Sequence, residues 1–69
     1  MNGLTITLNG KKAEFDDGIS LIELLSIKGL EPERVVVEYN FQVLKREEWD
    51  KVILKENDTL EVLRFVGGG

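Results

Sequence analysis

The group best placed to do chemistry in this chain is the carboxylate that closes Arg64-Phe65-Val66-Gly67-Gly68-Gly69, an apolar, strand-like run passing straight into three glycines. Such a tail reads in three ways: a disordered end, an expression scar, or an arm that carries its carboxylate into another molecule. Elsewhere the usual reactive side chains are missing. Cysteine and histidine are both absent, which removes thiolate nucleophiles, cysteine-ligated zinc, and the side chain most used as general base and metal ligand. The acidic pairs Asp16-Asp17 and Glu47-Glu48 suggest carboxylate catalysis or metal binding on paper, but adjacent charges in turns are far more often simply solvated. No Gly-x-x-x-x-Gly-Lys loop is present to cradle a phosphate. An enzyme assembled from Asp, Glu and Lys alone is the weakest reading of the chain.

Whether the tail has a job depends on the body behind it. At 69 residues the chain is one small domain, burying about 60% of the surface of its unfolded form and leaving no room for an enclosed substrate cavity. We divide it into a folded domain over 1–66 and a flexible glycine tail over 67–69. Nine basic and thirteen acidic residues give a net charge of −4, which argues against nucleic acid or a membrane surface as partner, since both select clustered lysine and arginine. It fits ordinary solubility, or a basic groove on a protein. No signal peptide or bilayer-length apolar span is apparent in the sequence, so the expected location is cytoplasmic.

Leu4-Thr5-Ile6-Thr7-Leu8 alternates with period two, placing Leu4, Ile6 and Leu8 on one buried face of a strand. Asn9-Gly10 supplies two positive-φ residues for a type I′ turn, so Lys11 to Phe15 should return as a hairpin with Ala13 and Phe15 facing the core. Ser20 and Glu23 have capping-box spacing, with Ile19 and Leu24 at the hydrophobic-staple positions, and together they start a helix. Its buried stripe is Leu21, Leu24, Leu25 and Ile22. Gly29 supplies a left-handed C-cap and Pro32 blocks continuation, leaving about two turns, a length that needs a sheet to rest on. Val35 to Tyr39 reads as a third strand with Val35, Val37 and Tyr39 inward, turning at Asn40 into a short return over Gln42-Val43-Leu44. Trp49 is expected to plug the edge of the core. Asn57-Asp58 makes the last turn, and Thr59 to Phe65 the last strand, with Leu60 and Val62 inward and Leu63 and Phe65 outward. The first and last strands should lie parallel at the sheet centre.

This order within so short a chain resembles the ubiquitin-like β-grasp, and within it the MoaD/ThiS family of sulfur carriers. The resemblance rests on Ile6-Thr7-Leu8-Asn9-Gly10, Val37-Glu38-Tyr39-Asn40 with Val43-Leu44, Arg46-Glu47-Glu48-Trp49, the Asp58 turn and Val66-Gly67-Gly68-Gly69. It covers essentially the whole chain. No one of these motifs is specific; their joint order is. Lys45 departs from a frequent proline and Phe41 from a small or polar residue. The fold implied is α+β, a mixed sheet of four to five strands with one helix packed across it.

What the resemblance implies for function is a protein cosubstrate rather than an enzyme. The Gly69 carboxylate would be adenylated by a ThiF-like adenylyltransferase using ATP and magnesium, then converted to a thiocarboxylate with sulfur from a donor protein. That sulfur would be passed to a ThiG-like thiazole synthase for the thiamin thiazole ring. The carrier itself would need no cofactor. Gly68 would thread the tail through a narrow channel, since a side chain there or at Gly69 would crowd the reacting carbonyl. Leu63, Phe65, Val66 and Gly67 are the candidate partner-binding residues, with burial of Leu63 and Phe65 under the chain's own loops the competing possibility. Two rival readings remain: a MoaD-like small subunit of molybdopterin synthase, and a ubiquitin-like module that binds without covalent chemistry.

Overall fold

The structure, a computed structural model, describes residues 3–65. Strand β1 (Gly3–Leu8) turns at Asn9 (φ 51°) and Gly10 (φ 83°) into β2 (Lys11–Asp16), with Leu4 opposite Phe15 and Leu8 opposite Lys11. Both turn residues hold the positive φ expected of Asn-Gly in a two-residue hairpin. Helix α1 (Leu21–Ile27) follows. Its entry is the reciprocal cap anticipated from Ser20 and Glu23: the Glu23 amide donates to Ser20 Oγ at 3.0 Å and the Ser20 amide to Glu23 Oε1 at 2.9 Å. Its exit is a Schellman motif, in which the Leu30 amide reaches the Leu25 carbonyl at 2.9 Å and the Gly29 amide the Ser26 carbonyl at 3.0 Å. Gly29 makes the required left-handed step with φ 70°.

Beyond α1, Pro32–Arg34 forms one short 3-10 turn into β3 (Val35–Tyr39), which hairpins into β4 (Gln42–Val43). Leu44, expected inside the return strand, lies just past it but still donates to the Val37 carbonyl at 2.9 Å. A second 3-10 segment spans Arg46–Lys51, where no element was expected. Strand β5 (Thr59–Arg64) then enters the middle of the sheet. It stops one residue short of the expected end, although the Phe65 amide still donates to the Arg34 carbonyl at 3.0 Å. The strand order is β2-β1-β5-β3-β4, with β1 and β5 parallel and every other pairing antiparallel. With α1 across one face, this is the β-grasp.

The core forms between helix and sheet from Leu4, Ile6, Leu21, Leu24, Leu25, Val35, Val37, Leu60 and Val62, all buried. Ile22, expected in the helical stripe, packs at its margin. Trp49 closes one edge, only 3% exposed, with its indole N–H donating to the Leu44 carbonyl at 3.3 Å and the Arg46 guanidinium stacked 4.9 Å from its ring. The segment before α1 is tied to this edge, since Leu54 donates to the Ile19 carbonyl and Leu21 to the Val52 carbonyl, both at 3.0 Å. Among the described residues no helix is long and apolar enough to cross a membrane.

Candidate functional site

The parallel register between β1 and β5 covers only two residue pairs, Thr7 with Thr59 and Leu8 with Leu60. What completes the hold on β5 is a pair of asparagines in left-handed turns. Asn9 donates its amide to the Leu60 carbonyl at 2.9 Å, and its side-chain Oδ1 accepts from the Val62 amide at 2.8 Å. Asn40 (φ 49°) donates its amide to the Thr59 carbonyl at 2.7 Å and accepts from the Thr59 amide on Oδ1 at 2.8 Å. Asparagine suits both places because it tolerates positive φ and carries an amide able to imitate the backbone of a neighbouring strand. The first half of β5 is therefore held from both sides by the asparagines, and the strand's pairing with β3 runs on to Arg64. This is the strand that leads to the tail.

At the foot of β5 sits Asp58, a buried carboxylate 8% exposed. Its Oδ2 accepts from Tyr39 Oη at 2.6 Å and from the Lys55 amide at 2.8 Å, and its Oδ1 from Asn40 Nδ2 at 3.1 Å. Burial pushes the Asp58 carboxyl up, but the hydrogen bonds from Tyr39, Lys55 and Asn40 and the Lys55 charge outweigh it, so the group titrates below its ordinary value. Burial, followed by the hydrogen bond to Asp58 and that carboxylate's charge, raises the Tyr39 phenol to about 12. The sequence marked Asp58 only as a turn residue. Its role as a hub is set by long-range partners that no local pattern announces.

The sheet face opposite α1 carries the candidate docking residues. Leu63 is 61% exposed and stands directly opposite Val36, itself 40% exposed. Phe65, two residues further along, is 45% exposed and falls on the same side by strand alternation. Among the described residues no loop covers Leu63 or Phe65, and both stay exposed. Val43 continues the apolar surface onto β4 at 65% exposure, opposite Glu38, which in turn stands opposite Glu61. Arg34, Arg64 and Phe65 line a shallow groove with Gly29 and Glu31 at the root of the tail. Val66, Gly67, Gly68 and Gly69, the remaining expected site residues, lie outside the described residues. The acidic pairs Asp16-Asp17 and Glu47-Glu48 are exposed, and Glu48 uses its carboxylate to accept from the Lys45 amide at 2.9 Å.

One surface feature had only a faint signal in the sequence. In the β3–β4 hairpin turn Asn40 is followed by Phe41, with φ 72° and 79% exposure. A left-handed backbone costs a residue with a side chain roughly 1–2 kcal/mol, and glycine is the usual occupant of that place in a type I′ turn. Asn40-Phe41 standing where Asn-Gly would be expected is the clue.

Comparison with known proteins gives this geometry a context. Residues 2–69 match the model of the ThiS family. The chain is 35% identical to the sulfur carrier protein ThiS of Bacillus subtilis over 93% of its own length and 98% of the relative's. It is 41% identical over 96% of its length to a thiazole synthase of Magnetococcus marinus, but spans only 20% of that protein. A thiazole synthase of Paramagnetospirillum magneticum is matched in the same way, at 27% identity and 20% of its length. Among solved structures, the crystal structure of the thiamine biosynthesis protein ThiS from Geobacter metallireducens superposes with a TM-score of 0.80 at 40% identity, covering 96% of this chain and all of the other.

Proposed function

Because the chain belongs to the ThiS family, we propose that it is a sulfur carrier of thiamin biosynthesis whose cargo is held at the Gly69 carboxylate. The observation that carries this reading is the extent of the family match. It runs through residue 69, which supports reading body and glycine tail as one pattern.

A carboxylate resists attack because its charge repels nucleophiles and its oxygen leaves poorly. Activation removes both obstacles: a Gly69 oxygen attacks the α-phosphorus of ATP, pyrophosphate departs, and an acyl adenylate remains. Sulfide-level sulfur, as hydrosulfide, then adds to the carbonyl and expels AMP, leaving a thiocarboxylate. A separate adenylyltransferase supplies the ATP and magnesium site, since this chain has neither cysteine nor histidine for acyl transfer. The thiocarboxylate then delivers sulfur to a thiazole synthase. The chain's own contribution is presentation. Three glycines span at most about 10 Å, enough to cross the wall of a cleft, and the clamped β5 fixes where that reach begins.

Ordering the tail costs entropy at each docking, which binding of the body must offset. Leu63, with Val36 and Phe65, is the surface for it. Replacing Leu63 by Asp is expected to shift folding stability by less than about 0.5 kcal/mol, as for most exposed positions, while weakening association with the adenylyltransferase at least tenfold. Denaturant melts and a binding titration on the same variant separate the two effects.

The reading is tested by intact-mass analysis after incubation with the adenylyltransferase, ATP and a sulfur donor. The expected product has one oxygen replaced by sulfur, located by fragmentation to Gly69. Adenylation with no sulfur product would overturn the sulfur-carrier assignment and point to another ubiquitin-like pathway.

A further inference from the structure

The exposed Phe41 combines two costs in one residue, a left-handed backbone at φ 72° and an aromatic ring 79% open to water. Neither cost is offset by a contact among the described residues. Glycine would relieve the first and a polar residue the second, so nothing among the described residues accounts for phenylalanine there. An exposed aromatic on a rigid two-residue turn is, however, what a protein interface uses as an anchor: a large apolar area with few rotamers to freeze, held out from the surface.

The occupant can be narrowed from the surroundings. Phe41 lies beside Asn40, whose amide bonds Thr59 at the start of β5, whereas the tail leaves after Phe65 at the other end. Six strand residues separate the two levels, roughly 20 Å. A small ligand cannot engage both ends; a protein can. Between them run Val43, Val36 and Leu63, all exposed, beside Glu38 and Glu61, which are register partners on the same face. Two carboxylates directly opposite each other repel, and among the described residues the ion pair formed is Arg34 with Glu31, which involves neither. The complementary surface is therefore apolar with a basic rim. Thiazole synthases in two bacteria carry a body like this one within their own chains, which favours that enzyme class over the adenylyltransferase.

We propose that Phe41 is the distal anchor by which this domain docks on a thiazole synthase, inserting into an apolar socket whose rim sets lysine or arginine against Glu38 and Glu61. The proposal rests on the sulfur-carrier reading for its choice of partner. Its test is a calorimetric titration of the unmodified chain into the thiazole synthase of the same source, without ATP, comparing wild type with Phe41→Gly and Phe41→Leu.

Phe41→Gly should bind at least about tenfold more weakly and yet melt higher, by about 4 °C, because the strain is gone. Phe41→Leu should fall between wild type and Phe41→Gly in affinity with no gain in Tm. Opposite signs for binding and stability are what a packing role cannot produce. Unchanged synthase affinity in Phe41→Gly, a lowered Tm, or a loss confined to the adenylyltransferase or to self-association would each overturn the proposal. A wild-type chain that acquires the thiocarboxylate but does not bind the synthase would also overturn it, leaving the carrier reading intact. Phe41-dependent synthase binding by a chain that never accepts sulfur would keep the anchor and remove the carrier.

Discussion

Removing Gly69 alone is expected to abolish sulfur loading, reducing thiocarboxylate formation by at least about a thousandfold while leaving the fold untouched. A single residue spans at most about 3.6 Å, so the shortened chain presents its carboxylate a full residue away from the position the activating site expects. Misplacement by about 1 Å can already cost a hundredfold when two groups must meet in a fixed geometry. The strand cannot slip forward out of the body to make up the missing length, because β5 is fixed by Asn9 at Val62 and Leu60, by Asn40 at Thr59, and by the Phe65 amide on Arg34. The comparison is made by intact mass under the conditions that load the full chain, with thermal melts of both proteins alongside. Coincident melts and no sulfur uptake are the expected pair of results. Retained delivery in the truncated chain would favour the rival reading, in which Leu63 and its surroundings bind a partner and the glycines are idle.

Much of the scaffold behind that tail was legible in the sequence because local chemistry there agrees with the tertiary structure. Asn9-Gly10 specifies its turn type, Ser20 with Glu23 specifies a helix start, and the alternation of Leu4, Ile6, Leu60 and Val62 specifies which faces are buried; each signal lies within a few residues of its effect. What stayed hidden is what acts at a distance. Asp58 resembles any turn aspartate until Tyr39 and Asn40, nearly twenty residues earlier, are seen to donate to it. Asn9 was read as half of a turn, correctly, but its side chain also replaces a missing stretch of parallel ladder more than fifty residues later. The 3-10 segment around Trp49 was missed because its charges mask a single apolar contact, and short 3-10 pieces have no strong periodic pattern. For the site, outward Leu63 and Phe65 followed from strand parity. Phe41 showed in the sequence only as a departure from a small or polar residue, and the cost of its conformation emerges with its dihedral angle.

The hidden hub should also be the most sensitive polar position in the body. Asp58→Ala removes the acceptor for Tyr39 Oη, Asn40 Nδ2 and the Lys55 amide at once, leaving polar groups unpaired at a site 8% exposed. Hydrogen bonds to a buried charge are worth about 1.5–3 kcal/mol each, with partial rescue by water, so the expected loss is about 3 kcal/mol. A domain of this size has roughly 5 kcal/mol in all, and the midpoint should fall by about 15 °C. Tyr39→Phe, which removes one donor and leaves the carboxylate its other partners, should cost about 1.5 kcal/mol. The pH dependence follows from the shifts at the two groups. The Asp58 carboxyl titrates below its ordinary 3.8 in the fold, so its contribution is complete above that value and disappears as pH falls through the lowered one. The Tyr39 phenol is raised from 10.0 to about 12, so its contribution is complete below 10.0 and is lost as pH climbs toward the raised value. As the chain has one tyrosine, subtracting the stability of Tyr39→Phe from that of wild type isolates the alkaline arm from lysine titration. That difference should hold steady through neutral pH and shrink above pH 10.0. A difference flat across the alkaline range would mean the phenol does not bear on the carboxylate, and with it would go the account of how the foot of β5 is held.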